Sequence, residues 1–253
     1  MQPSAAQQPL HGRVVVITRP VGAAATLMRR VRAGGGVPLH VPGMTLRACH
    51  GDATARALAD ALRAARVIFT SPAAVRYARA LQPIPPACPA IGVGQGTARA
   101  LRRAGVLAPG SPARQDSEGV LALPALQSLN GLHVALIGAA GGRGLLREAL
   151  AARGARLDEV HVYTRAPARL DRRHAQALQQ LPPGACVLWS SAEAMHLLHN
   201  RLPPDAWAAL QRAVAVVSSA RLDEVARELG FAHRVVASSA QPADLLACVA
   251  RLG

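Results

Sequence analysis

The sequence predicts an α/β protein of two similar lobes, each built on a parallel sheet, and two observations carry the prediction. Strands and helices alternate along the whole chain, and runs such as Val14–Thr18 are apolar throughout, as strands buried on both faces are. The chain also repeats itself at an offset of 120 residues: Arg13–Pro42 lies over His133–Val162 without a gap, and Val67–Leu81 lies over Val187–Arg201. Identities are few (Val14 with Val134, Ile17 with Ile137, Gly34 with Gly154, Ser71 with Ser191), but two stretches sharing one offset make duplication the better reading. Two similar lobes imply a cleft between them.

The elements run in order along the chain. The first eleven residues are polar and proline-containing and are expected to form a disordered leader. Strand 14–18 leads to a helix over 22–33 that Gly34-Gly35-Gly36 ends. An extended piece near 37–41 precedes a helix over 52–64, strand 66–70, helix 72–81 and a proline-rich loop at 82–89. Strand 90–93, helix 97–104 and a short helix over 117–127 complete the first copy. The second copy repeats the order: strand 133–137, helix 143–153, an extended segment over 157–164, helix 168–181, strand 187–190 and helices 192–200 and 204–211. Strand 214–217, helix 220–229, strand 233–237 and helix 242–251 close the chain.

Charge narrows the chemistry. The 253 residues carry a net charge of +15, and all 29 basic side chains are arginine. Without lysine there is no Schiff-base nucleophile and no Walker A lysine, so pyridoxal enzymes, lysine-dependent aldolases and P-loop nucleotide sites are excluded. The positive field favours an anionic partner. Four cysteines, Cys49, Cys88, Cys186 and Cys248, stand far apart, so no zinc-type pair exists and they read as reduced. No apolar run reaches the roughly 18 residues of a membrane span, and the start lacks the pattern of a secretory signal, so a cytoplasmic protein is expected.

Small polar residues follow the strands at equivalent places: Thr70-Ser71 and Ser190-Ser191, then Gly92 to Thr97 and Ser218-Ser219. Hydroxyls and free helix amides at the carboxyl ends of parallel strands hold anions, but the same residues serve as helix N-caps, and both readings stand. The run Gly92-Val93-Gly94-Gln95-Gly96 misses the dinucleotide spacing by one residue. Gly138 to Gly144, which contains Gly142 and Arg143, reads either as a simple turn or as a nest of amides for an anion. His196 and His199 lack the acids that a metal pair needs. His161 and Tyr163 alternate on one extended segment and are expected to share a face, where Tyr163 is either packing or a general acid. No stripe of aromatics interleaves with arginines, as single-strand binders need.

Taken in order, ITRP at 17–20, FTSPAAV at 69–75, AIGVGQGTARALRRAG at 90–105, DSEGVLALPAL at 116–126, GGRGLLREALAARGARLDEVHVYTR at 141–165, VLWSSAEAM at 187–195 and VVSSARLDEVARELGF at 216–231 make the chain resemble the uroporphyrinogen-III synthase family. The resemblance covers nearly the whole chain from Gly12. It implies two flavodoxin-like lobes joined by a two-stranded hinge: one lobe of residues 12–40 with 165–253, the other of 43–162. It implies an enzyme of tetrapyrrole biosynthesis that removes the terminal hydroxyl of hydroxymethylbilane as water, inverts ring D through a spiro intermediate and closes the macrocycle. No metal or organic cofactor is implied, and neither a nucleic-acid nor a membrane partner; a monomer is expected. Carried over by motif, Tyr163 is the candidate catalytic group. Arg19, Ser71, Thr97, Ser117, Gly142, Arg143, Ser191, Ser219 and Arg221 are candidate substrate contacts. Ile137 departs from the pattern, because many relatives have Arg there. The competing functions are a two-lobed anion binder without catalysis and a basic nucleic-acid-binding protein.

Overall fold

The computed structural model describes residues 9–114, 116–141 and 144–252. In chain order the elements are β1 (Val14–Ile17), α1 (Ala25–Ala33), β2 (Val37–His40), β3 (Met44–Ala48), α2 (Asp52–Ala61), β4 (Arg66–Phe69), α3 (Pro72–Leu81), β5 (Ala90–Gly92) and α4 (Gln95–Arg103). Then come α5 (Ser117–Leu121), β6 (His133–Ala139), α6 (Gly144–Ala152), β7 (Arg156–Pro167), α7 (Arg172–Gln179), β8 (Cys186–Trp189) and α8 (Ala192–His199). The last are α9 (Pro204–Gln211), β9 (Val214–Val217), α10 (Ala220–Glu228), β10 (Arg234–Val236) and α11 (Pro242–Ala250).

The strands form two five-stranded sheets, β10-β9-β8-β1-β2 and β3-β7-β6-β4-β5. β1 pairs in parallel with β2 and β8, and β6 in parallel with β7 and β4. Numbered within its own sheet, the first has the flavodoxin-like order 2-1-3-4-5. The opening strand–helix–strand of each repeat thus joins strands that belong to the other repeat. Contacts divide the chain into two compact units accordingly: one runs up to Leu46 and resumes at Ala166, and the other is Arg47–Arg165. The division falls inside β3 and inside β7.

Apolar alternation explains why the first sheet is buried on both faces. Val16, Val187, Trp189, Ala215 and Val217 enter one cluster with Trp207 and Phe231. Their neighbours Val15, Ile17, Cys186, Leu188 and Val216 enter another, with Leu27 and Val31 of α1 and Leu245 and Val249 of α11. In the second unit Ile68, Ile91, Val134 and Leu136 pack with Leu146 and Leu150 of α6. Burying each such Val, Leu or Ile contributes about 1.5–3 kcal/mol.

Several boundaries differ from those the sequence predicts, each for a local reason. Residues 1–8 of the expected leader lie outside the described residues. Leu10, within the stretch expected to be a leader, is buried, and its N–H donates to the Gly34 carbonyl at 2.9 Å. The helix expected over 168–181 starts at Arg172, where Asp171 caps it by accepting from the His174 N–H at 3.1 Å. The helix expected over 117–127 stops at Leu121, and one 3-10 turn at Pro124–Leu126 follows. Pro124 has no N–H to continue an α-helix. Strand β7 is twelve residues long, beyond the eight expected.

Gly92 lies against the first turn of α4: a Cβ there would lie 2.7 Å from the Ala98 nitrogen and 2.9 Å from the Thr97 Cβ. Replacement by alanine must push a backbone segment away. Gly92→Ala is expected to destabilise the protein by about 1–3 kcal/mol, read as a lower urea midpoint at unchanged slope.

Candidate active site

In parallel α/β sheets, ligands bind outside the carboxyl ends of the strands. In the second unit that edge carries Ser71 after β4, Thr97 after β5, Gly138–Gly141 at the end of β6 and Tyr163 in β7. Ser71 is the N-cap of α3, and its Oγ accepts from the Ala74 N–H at 3.0 Å. The same oxygen lies 3.1 Å from the Tyr163 hydroxyl. Pro72, at the first helical position, has the φ that a helix start needs and no N–H to satisfy. The capping reading of Ser71 is thus met, and the same hydroxyl also meets a second protein group, the Tyr163 phenol.

The orientation of Tyr163 comes from an irregularity. Along the β6–β7 pairing His161 stands opposite Gly138, but Tyr163 stands opposite Ala139, so the register slips by one residue at Val162. Strict alternation would have put His161 and Tyr163 on one face. The slip breaks it: His161 is exposed, whereas Val162 and Tyr163 are both buried. The shared face expected for this pair is thus corrected, and the slip re-aims the tyrosine. Tyr163 also stacks on Tyr77, with ring centroids 5.2 Å apart and planes at 25°. Tyr77 was not among the residues that the sequence singled out.

Thr97 is buried in the first turn of α4, and Ser117 is buried in the first turn of α5. The N-cap of α5 is Asp116, whose carboxylate accepts from the Gly119 N–H at 2.8 Å. Partial burial pushes the Asp116 pKa up, but the Gly119 bond and the Arg114 guanidinium outweigh it and hold it below the ordinary range. An acid already occupies that helix end. Gly142 and Arg143 lie outside the described residues. Ile137 is fully buried in the sheet, so position 137 offers nothing to a ligand. Gly138 leaves room for Thr70, since a Cβ there would fall 2.3 Å from the Thr70 Oγ1.

In the first unit the carboxyl edge carries Arg19 after β1, Ser191 after β8, and Ser219 with Arg221 after β9. Ser191 and Ser219 are N-caps of α8 and α10, accepting from Ala194 N–H at 3.3 Å and Leu222 N–H at 3.4 Å. Arg221 is exposed. Arg19 is half-buried; its guanidinium donates to the Ala240 carbonyl, and it has no carboxylate partner among the described residues. Burial lowers its pKa from the ordinary value. A desolvated cation without an acid beside it is a ready contact for an incoming carboxylate. His199 packs edge-on against Trp207, with centroids 5.0 Å apart.

A pocket of about 470 Å³ lies at the opposite, amino-terminal end of the second sheet, lined by Asp60, Arg63, His133, Arg156 and Asp158. Polar groups there already have partners: Arg63 pairs with Asp60, and His133 Nε2 lies 2.7 Å from the Asp158 carboxylate.

The model of the family described as uroporphyrinogen-III synthase HemD matches residues 25–247. The chain belongs to the uroporphyrinogen-III synthase family. It is 34% identical to uroporphyrinogen-III synthase of Salmonella typhimurium over 245 residues, 92% of this chain and 98% of that protein. To the Escherichia coli protein of the same name it is 29% identical over 247 residues, with the same coverage. Among solved structures, a mutant uroporphyrinogen III synthase from Thermus thermophilus has a TM-score of 0.62 at 21% identity, covering 95% of this chain and 98% of that one. Uroporphyrinogen-III synthetase from Helicobacter pylori has a TM-score of 0.63 at 14% identity, covering 95% of this chain and all of the other. At these identities the structures speak to the fold, and the fold agrees: two mainly parallel five-stranded sheets with helices around them.

For this member of the uroporphyrinogen-III synthase family, the Asp116 cap makes a prediction about stability. Asp116→Ala is expected to cost about 1 kcal/mol at neutral pH. Because the carboxyl's folded pKa is depressed, its contribution is present above the unfolded pKa of about 4 and is lost as pH falls through the folded value. Urea titrations of wild type and variant should therefore differ at pH 7 and converge in acid.

Proposed function

We propose that the chain converts hydroxymethylbilane into uroporphyrinogen III in tetrapyrrole biosynthesis, with loss of the terminal hydroxyl as water, inversion of ring D and closure of the macrocycle. The observation that carries the site assignment is the Tyr163–Ser71 contact at 3.1 Å, set at the start of a ten-residue helix. Family membership supports the reaction itself.

Departure of hydroxide as water requires a proton, and the Tyr163 phenol is the proposed donor. When Ser71 donates to the phenol oxygen, the phenol's own proton is left for the leaving group. As the proton moves, charge grows on that oxygen. The Ser71 hydroxyl and the positive end of α3 oppose that charge. The substrate is an octacarboxylate, which suits a chain of net charge +15. Arg19, Thr97, Ser191, Ser219 and Arg221 are the proposed carboxylate contacts, with Gly142 and Arg143 as further candidates; Ser117 is the least favoured, because Asp116 already caps that helix start. Much of the rate advantage then comes from positioning, because the open tetrapyrrole closes unaided to the uninverted isomer. The reading needs no cofactor and includes action as a monomer in the cytoplasm. No described helix is long and apolar enough to cross a membrane.

The deciding assay supplies hydroxymethylbilane and resolves the oxidised products by isomer. Type III product supports the proposal; type I alone rejects it and favours a non-catalytic anion binder. Tight binding to duplex DNA at physiological salt would favour the nucleic-acid reading instead. Tyr163→Phe is expected to slow turnover by roughly a hundredfold or more, and wild-type kinetics would remove its role. Arg19→Gln is expected to raise KM by roughly tenfold with little change in kcat, the loss of one charge-assisted contact.

A further inference from the structure

We propose that Tyr77 is a positioning residue for Tyr163, holding its ring in the plane from which the phenol reaches the substrate; this rests on the reading of Tyr163 as the proton donor. The chain has two tyrosines, and they stack on each other, with centroids 5.2 Å apart and planes at 25°. Tyr163 is held at two points by one element. Ser71, the N-cap of α3, fixes its oxygen, and Tyr77, within α3, lies against its ring. The hydrogen bond fixes the position of the oxygen, and the near-parallel aromatic contact fixes the plane of the ring.

The backbone makes such a restraint necessary. The register slip at Val162 places Tyr163 beside a break in the strand pairing, where regular alternation no longer dictates the side chain's direction. Tyr77 is itself steadied, since the guanidinium carbon of Arg76 lies 4.8 Å from its ring centroid. The property used is the aromatic face. Phenylalanine should therefore replace Tyr77, whereas an aliphatic side chain of similar bulk should not.

Turnover of hydroxymethylbilane is measured for wild type, Tyr77→Phe, Tyr77→Leu and Tyr77→Met, each also combined with Tyr163→Phe, with thermal melting as the check on folding. Two ringless variants are used so that misfolding of one leaves the other. Expected are a fall in kcat of roughly tenfold or more for the ringless variants, KM within about twofold, and near-complete rescue by Tyr77→Phe. In the Tyr163→Phe background the ringless changes should cost nothing further, because a residue acting through Tyr163 has nothing left to position. A wild-type kcat in a folded ringless variant, or the same loss in both backgrounds, would overturn the proposal while leaving Tyr163 in its role. Wild-type kinetics for Tyr163→Phe alone would instead remove the reading on which the proposal stands.

Discussion

Each sheet is completed by a strand that arrives from far along the chain: β1 lies between β2 and β8, and β6 lies between β7 and β4. Both cores and both carboxyl edges depend on these two strands. Their backbone groups bond on both sides, and their apolar side chains fill both faces, as the complete burial of Val15, Val16 and Ile17 shows. Neither stretch between the exchanged strands could close its sheet alone, since removing β1 or β6 would strand two rows of backbone donors and acceptors in an apolar setting. The exchange also fixes where the carboxyl edges lie. Because the pairs are parallel, every loop that leaves β1, β8 and β9 emerges on one edge of its unit, and every loop that leaves β4, β5 and β6 does so in the other.

The polar residues at those edges have local duties that do not compete with a functional one. Ser71, Ser191 and Ser219 each accept from the N–H three residues on, which satisfies one donor of a helix start. A capping serine still has a hydroxyl proton to give, and Ser71 shows the consequence by meeting Tyr163. Asp116 is the contrasting case. There the cap is a carboxylate, so the start of α5 already carries its own negative charge and is a poor place for another. The arrangement at β1 is different again: Arg19 is partly desolvated and donates to a carbonyl, with no carboxylate partner among the described residues.

Legibility from sequence was uneven for physical reasons. The positions of most strands and helices were readable, because apolar runs, glycine stops and serine starts act over a few residues. Missed or blurred boundaries came from single local devices: the Asp171 cap, the Pro124 break and the anchoring of Leu10 on Gly34. The hydroxyl-bearing edges were visible as Ser and Thr after apolar runs, but whether a given hydroxyl does more than cap was not. Tyr77 carried no signal that could have marked it. It sits within a helix between residues of ordinary helical character, and its partner is supplied by a strand from the other end of the unit.

By itself the sequence determined the α/β class, the duplication and the all-arginine positive charge. Its ordered motifs pointed to the uroporphyrinogen-III synthase family. The tertiary structure alone decided the register in which the strands pair, where the β7 register slips, and that Tyr163 faces Ser71 and Tyr77 rather than sharing a face with His161. The reason is range. Periodicity and capping are interactions among neighbours, whereas the Ser71–Tyr163 contact joins residues 92 positions apart. A one-residue slip in pairing changes a side chain's direction without changing any letter around it.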